Sequence, residues 1–292
     1  MEVRRIFIVG AGLMGGGIAQ VCAQASYSVI MQDLTNDILE KGLDAIRWSV
    51  SKFVEKGKVE GTVDEIMGRI ESTTDIADAK DADFVFEAVF EDLKVKHEVF
   101  SKLDEICPSH TILATNTSAI PITEIGAATK RAEKVVGTHF FSPVPMMKVV
   151  EVISGLSTSN ETMQATKNLC RSIGKDPITC NKDVAGFLFT RLNAAGNIEI
   201  IKLVEQGVGT VEEIDKGVRL GLGRAMGPFE TGDLTGLDVS LNAYMNIYNE
   251  TRDPKFYPPM LLRRKVKAGH LGKKVGIGWY RYDDKGNRIG PA

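Results

Sequence analysis

One stretch near the N-terminus restricts the fold more than any other. Arg5-Ile6-Phe7-Ile8-Val9 is a short, nearly continuous apolar run with β-branched members, suited to a parallel strand buried on both faces. It leads into Gly10-Ala11-Gly12-Leu13-Met14-Gly15, and Gly16-Gly17-Ile18-Ala19-Gln20-Val21-Cys22-Ala23 follows with small residues and helical period. A second strand, residues 27–32, ends at Asp33. The spacing has a mechanism: Gly10 permits a tight turn, Gly12 lets the backbone approach a pyrophosphate, and Gly15 lets helix pack closely on strand, with the phosphates at the helix N-terminus. Asp33 falls where a carboxylate accepts from adenosine ribose hydroxyls and repels a 2′-phosphate, which favours NAD over NADP. A merely glycine-rich turn is the bland alternative; a strand before, a helix after and an acid at the right distance argue against it.

Strand and helix keep alternating downstream. Residues 36–67 read as one long, charged helix carrying Lys52, Lys56 and Lys58, the first two at i,i+4 and so on one face. That row is either a solvated surface or a clamp for ligand phosphates. Strand character returns at residues 83–89, a helix at 91–106, and a buried strand at 111–115 that runs into Asn116-Thr117-Ser118. A helix at 160–173, with Asn160 as its cap, and a short strand at 177–180 follow. Near Val184-Ala185-Gly186 the character changes to helices at 187–205, 211–220, 228–249 with glycine interruptions, and 259–268, then a short aromatic strand and turn at 278–286. The pattern predicts an α/β fold, a doubly wound, mostly parallel sheet of Rossmann type over residues 1–185, followed by a smaller helical domain over 186–292.

A length of 292 residues agrees with about two domains. Net charge −2 gives no basic surplus for nucleic acid, so any anionic ligand must be held by locally placed positive groups. Cys22, Cys107, Cys170 and Cys180 lack CxxC spacing and nearby His pairs, which points to reduced thiols in a cytoplasmic protein and to neither a disulfide framework nor a metal site. Arg4-Arg5, the apolar run after it and Ala23-Gln24-Ala25 superficially resemble an export signal, but cleavage there would remove the glycine loop. No apolar run reaches the roughly 18 residues needed to cross a membrane.

The second informative stretch is Thr138-His139-Phe140-Phe141-Ser142-Pro143-Val144-Pro145-Met146-Met147-Lys148-Val149-Val150-Glu151. It reads as a strand carrying a histidine to its end, a proline-stiffened turn and a returning strand with a carboxylate. Two strands joined this way can place Glu151 beside His139, and a carboxylate holding an imidazole selects its tautomer, as general acid/base chemistry requires. The plainer alternative is a histidine satisfied by a carbonyl and an ordinary surface Glu. Ser118 shares with His139 a place at a strand C-terminus, where ligands of such sheets bind.

With the glycine loop, Asp33, Asn116-Thr117-Ser118, His139-Phe140-Phe141 through Glu151, and Met226-Gly227-Pro228-Phe229-Glu230 all in order, the chain resembles the L-3-hydroxyacyl-CoA dehydrogenases. Within that family it is most similar to the short, single-function bacterial 3-hydroxybutyryl-CoA dehydrogenases, down to Gly272-Lys273-Lys274 and Gly278-Trp279-Tyr280. The resemblance implies NAD-dependent oxidation of an L-3-hydroxyacyl-CoA to the 3-oxoacyl-CoA, and the reverse. It implies His139 as general base and acid, Glu151 as the group that orients it, and Ser118 as a contact to substrate and nicotinamide. Leu13, Met14, Glu91, Lys96, Ser142 and Lys274 match cofactor-contacting positions, and Lys52 and Lys56 fall where related enzymes hold coenzyme A phosphates. Two residues depart from the pattern: Thr190 stands where a substrate-site asparagine is expected in Gly186-Phe187-Leu188-Phe189-Thr190-Arg191, and Ser142 replaces another asparagine. Two other readings stay open, a hydroxyacid or sugar-acid dehydrogenase without coenzyme A, and a nucleotide-binding structural or sensor protein of low activity. Apolar residues Leu234, Leu237, Val239, Leu241, Tyr244, Met245, Ile247 and Tyr248 suggest self-association, and the resemblance implies a homodimer through the C-terminal helices.

Overall fold

In the computed structural model, which describes residues 3–292, the apolar run after Arg4 is the central strand β1 (Arg5–Val9). Its side chains alternate between two core layers, Ile6 and Ile8 on one face of the sheet and Phe7 and Val9 on the other. That is why the run is continuously apolar: successive side chains point to opposite faces, and both faces are covered. Helix α1 (Leu13–Gln24) follows, then β2 (Ser28–Gln32), α2 (Asn36–Glu55), α3 (Val63–Met67) and β3 (Ile70–Thr73). Next come β4 (Phe84–Glu87), α4 (Leu93–Ile106), β5 (Ile112–Thr115), α5 (Ile122–Gly126) and β6 (Val135–Phe140). The sheet is completed by β7 (Val149–Ile153), α6 (Asn160–Ser172) and β8 (Asp176–Cys180).

The strand order is β3-β2-β1-β4-β5-β6-β7-β8, and every neighbouring pair is parallel except β6 with β7. The chain winds outward in both directions from β1 and β4, so the crevice beyond their C-terminal ends is the ligand position of a doubly wound sheet.

Several local features differ from the reading of the sequence, each for a definable reason. Residues 36–67 are two helices: α2 stops before Gly57 and Gly61, whose φ values of +61° and +88° break the helix, and a Thr62–Glu65 capping box starts α3. Strand β3 was not anticipated, because only Ile70 of its four residues is buried and a half-polar edge strand lacks an apolar signature. Helix α4 begins at Leu93, with Asp92 as cap, which leaves Glu91 outside the helix. Ser159, not Asn160, caps α6 by accepting from the Thr162 N–H at 3.1 Å.

The chain divides into two compact units, one ending at Phe187 and the other spanning Leu188–Ala292. The second contains α7 (Phe189–Glu205), α8 (Val211–Leu222), α9 (Pro228–Thr235), α10 (Leu237–Thr251), α11 (Met260–Lys267) and an antiparallel ribbon of β9 (Tyr280–Tyr282) and β10 (Arg288–Pro291). Helix α7 starts two residues later than expected because Phe187 is left-handed at φ +46°, and Gly236 at φ +110° divides α9 from α10. Two buried carboxylates fasten the ribbon. Asp233 accepts from the Trp279 and Tyr280 N–H groups and the Tyr282 hydroxyl; Asp215 accepts from the Phe229 and Glu230 N–H groups and the Tyr280 hydroxyl. Burial pushes both carboxyl pKa values up, against the pull of those donors. Of the apolar positions expected at an association face, Leu237, Tyr244 and Ile247 are buried within this unit, whereas Leu234 and Val239 are exposed. All four cysteines are buried, and no helix among the described residues is long and apolar enough to cross a membrane.

Candidate active site

The three loop glycines answer to different demands. Gly10 has φ +106°, and a Cβ there would sit 2.6 Å from the Ala88 carbonyl oxygen. A Cβ on Gly15 would lie 1.8 Å from the Gly10 carbonyl oxygen, so the close packing of α1 on β1 requires glycine. Gly12 is different: its backbone is extended (φ −70°, ψ −171°), and a Cβ would meet no atom of the described residues within 4 Å. Nothing among the described residues asks for glycine at this position, and Gly12 is also the N-cap of α1, where none of their side chains caps the helix. An open approach to an uncapped helix N-terminus fits a pyrophosphate.

Asp33 is tied to that loop. Its Oδ2 accepts from the Ala11 N–H at 2.7 Å and its Oδ1 from the Leu34 N–H at 2.7 Å, which fixes the carboxylate while leaving each oxygen a further lone pair for a ribose hydroxyl. Leu13 and Leu34 are exposed beside it, while Met14 packs against the core. The residues present therefore fit NAD.

A second group lies at the ends of β4 and β5. Glu91 Oε1 accepts from the Thr117 hydroxyl at 2.6 Å, the Ser118 N–H at 2.9 Å, the Ala119 N–H at 3.2 Å and the Ser118 hydroxyl at 3.3 Å. Glu91 thus holds the turn that carries Ser118. Lys96, expected at the cofactor, has a side chain only 1% exposed; its ammonium donates to Glu87 at 2.7 Å and lies 3.5 Å from Glu91. It supports the Glu91 turn from within the protein and does not present its charge at the surface. Glu87, fully buried, also accepts from the Thr115 hydroxyl and the Val89 N–H, each at 2.7 Å. Glu87 was not anticipated. The available signal was Lys96 itself, which shares the buried stripe of α4 with Phe100 and Leu103: a lysine on an apolar stripe implies a buried counter-charge.

The third group is the histidine pair. His139 and Glu151 are direct cross-strand partners in the β6–β7 register, and His139 Nδ1 lies 2.6 Å from Glu151 Oε2. Glu151 is fully buried and His139 is 8% exposed. Phe141 and Phe187 flank the imidazole, with ring centroids 4.5 and 6.2 Å away. Asn116 Oδ1 accepts from the Phe140 N–H at 2.9 Å and so joins the Ser118 loop to the histidine strand. Beyond His139, Ser142 is exposed ahead of the turn to β7. Lys175 holds that turn by donating to the carbonyls of Val144 (2.5 Å) and Met147 (2.8 Å).

Lys52 and Lys56 are exposed on α2 and at its C-cap, with Lys52 2.9 Å from Glu55. Thr190 is the second residue of α7 and half-buried, and Lys274 donates to both oxygens of Asp238 at 2.7 Å. Desolvation raises the Asp238 carboxyl, but the Lys274 ammonium outweighs it and holds the pKa below the ordinary carboxylate value.

The sequence matches the family model for the 3-hydroxyacyl-CoA dehydrogenase NAD binding domain over residues 5–184 and that for the C-terminal domain over residues 186–282. The chain belongs to the 3-hydroxyacyl-CoA dehydrogenase family. It is 43% identical to a probable 3-hydroxybutyryl-CoA dehydrogenase of Bacillus subtilis, over 98% of this chain and 99% of that protein. It is also 43% identical to the 3-hydroxybutyryl-CoA dehydrogenase of Clostridioides difficile, over 96% of this chain and 99% of that one. The crystal structure of (S)-3-hydroxybutyryl-CoA dehydrogenase from Ralstonia eutropha superposes with a TM-score of 0.93 at 38% identity, covering 97% of this chain and all of that one. As a member of this family the chain is an NAD-dependent oxidoreductase.

Proposed function

We propose that this dehydrogenase interconverts an L-3-hydroxyacyl-CoA and the 3-oxoacyl-CoA, with His139 moving the hydroxyl proton. The observation that carries this assignment is the 2.6 Å contact between His139 Nδ1 and buried Glu151. Because Nδ1–H donates to the carboxylate, Nε2 is the nitrogen left to accept a proton from the C3 hydroxyl, or to return it to the forming alkoxide. Glu151 stabilises the imidazolium formed in between. Bound NAD supplies the hydride acceptor in oxidation and the donor in reduction.

In this reading Ser118, held by Glu91, orients the substrate oxygen, and Lys52 and Lys56 supply positive charge for the coenzyme A phosphates. Ser142 and Lys274 serve as cofactor contacts and Thr190 as a substrate contact in this reading. Exposed Leu220, Leu222, Leu234 and Val239 support a homodimer through the C-terminal helices, which sedimentation would test. Four buried cysteines suit a reducing, cytoplasmic setting.

The test is consumption of NADH by the purified protein with acetoacetyl-CoA, with NADPH as the control nucleotide. NADH-specific turnover that His139→Gln abolishes, while NADH binding persists, is the expected result. Normal turnover in His139→Gln would remove His139 from the mechanism.

A further inference from the structure

Helix α2 carries an aromatic side chain that its packing does not use. Leu39, Gly42, Ile46 and Val50 form the buried stripe of this helix, yet Trp48 is 68% exposed. A Trp side chain carries roughly 150–250 Å² of mostly apolar surface, and a helix face that merely meets water has no need of one. Lys52 and Lys56 follow at i+4 and i+8, which places the indole and two ammonium groups in one row with about 6 Å between successive members along the axis.

We propose that Trp48 is a specificity determinant for the nucleotide end of coenzyme A: its indole stacks on the adenine, beside the phosphates already assigned to Lys52 and Lys56. The proposal rests on the reading of the substrate as an acyl-CoA and adds a determinant to it. A base presents a flat π-face to an indole, phosphates need fixed positive charge, and an adenine nucleotide carries both within the reach of two helical turns. The charges around the row permit this. Among the described residues Lys52 is engaged by Glu55 in an exposed i,i+3 pair, the kind of contact that contributes little and exchanges readily. Arg47 is matched by Asp64 at 2.8 Å, and Lys58 adds a further positive charge beyond the helix end; Asp44, one turn before Trp48, is the acid on the approach.

The consequence is substrate selection. The row engages no part of the acyl group or the pantetheine arm, so it favours a coenzyme A thioester over the same acyl group on bare pantetheine. Stacking of this kind corresponds to about a tenfold change in binding or more.

The chain has two tryptophans, and the other, Trp279, is buried against Phe229, so indole emission can report on Trp48. Titration with coenzyme A, 3′-dephospho-coenzyme A and adenosine 3′,5′-bisphosphate should quench wild-type emission. Trp48→Ala should weaken coenzyme A binding about tenfold. It should lower by a similar factor the ratio of kcat/KM for acetoacetyl-CoA to that for acetoacetyl-pantetheine, and Trp48→Phe should largely restore that ratio. Combined Lys52→Gln and Lys56→Gln substitutions should narrow the difference between coenzyme A and its 3′-dephospho form. Coenzyme A binding that leaves emission unchanged and survives Trp48→Ala would overturn the proposal. So would an equal loss with both thioesters, or a Trp48→Ala variant whose sedimentation changes, which would make the indole a contact between copies. Coenzyme A binding through Trp48 without any thioester turnover would instead overturn the dehydrogenase reading and leave the nucleotide row standing.

Discussion

Gly12→Ala separates what the fold needs from what the ligand needs. At Gly12 the backbone is extended and a Cβ would find no neighbour among the described residues within 4 Å, so alanine introduces neither strain nor a clash. Replacing glycine where the conformation is compatible stabilises by about 0.4–1 kcal/mol through the unfolded chain, and the poorer N-cap preference of alanine offsets this by a similar amount, so the variant should unfold at about the same urea concentration as the parent. The methyl group instead occupies the approach of a pyrophosphate to the N-terminus of α1. If it displaces even one backbone N–H to phosphate hydrogen bond, the loss is about 1.5–3 kcal/mol, or roughly 10- to 150-fold in NADH affinity. Gly15→Ala is the control of opposite sign: its Cβ would lie 1.8 Å from the Gly10 carbonyl oxygen, and helix and strand would have to part. It should therefore lose stability as well as affinity. NADH titration by fluorescence and urea unfolding by circular dichroism measure the two quantities. A Gly12→Ala protein that binds NADH within threefold of wild type would refute the assignment of that space to the cofactor. Marked destabilisation of the same variant would refute the claim that the fold leaves it open.

Glu151→Gln keeps the shape of the histidine partner and removes its charge; losing about 1.5–3 kcal/mol of charge-assisted hydrogen bonding should slow turnover roughly 10- to 150-fold with NADH affinity unchanged, and a rate within twofold of wild type would sink the pairing as a catalytic device. Lys96→Met leaves Glu87 buried and uncompensated, so it should cost about 3–5 kcal/mol in urea unfolding; a loss below about 1 kcal/mol would mean the pair is dispensable. Desolvation raises the Asp83 carboxyl, but the Arg5 and Arg4 N–H groups and His110 outweigh it and hold its pKa below the ordinary value. With the folded value lowered, the contribution is complete above the unfolded carboxylate range near pH 4 and is lost as pH falls through the folded value. Asp83→Asn should accordingly flatten the loss of stability below about pH 4 in thermal unfolding, and an unchanged acid limb would contradict that assignment.

What was legible in the sequence was whatever local spacing determines. Strand β1, the strand–loop–helix order and the place of Asp33 after β2 could be read because a tight turn at Gly10 and a helix packing contact at Gly15 impose glycine at fixed offsets. His139 and Glu151 could be read because two strands and a short turn leave few registers, and in one of them the residues are directly opposed. Strand β3 was missed for the converse reason, since Ile70-Glu71-Ser72-Thr73 takes its conformation from pairing with β2 and not from any pattern of its own. Helix limits moved wherever a single backbone angle decided them, as at Phe187 and Gly236.

The buried ions mark a deeper limit. Glu87 looks like the end of an apolar strand and Lys96 like a lysine in the first turn of a helix; only the fold brings the ammonium within 2.7 Å of the carboxylate. Neither charge could be buried alone, because desolvation of an unpaired ion costs several kcal/mol, so the two positions are coupled although nothing in either local segment says so. The same coupling reaches the site. Lys96 also lies 3.5 Å from Glu91, and Glu91 accepts from both the N–H and the hydroxyl of Ser118. A buried ion pair beneath a surface turn is a costly way to stabilise a sheet and a direct way to hold one carboxylate in one position. The location of Ser118 at a strand end could be foreseen from the alternation of strand and helix. The arrangement that fixes its hydroxyl depends on three charges from β4, the loop after it and α4, and appears only once those elements are packed.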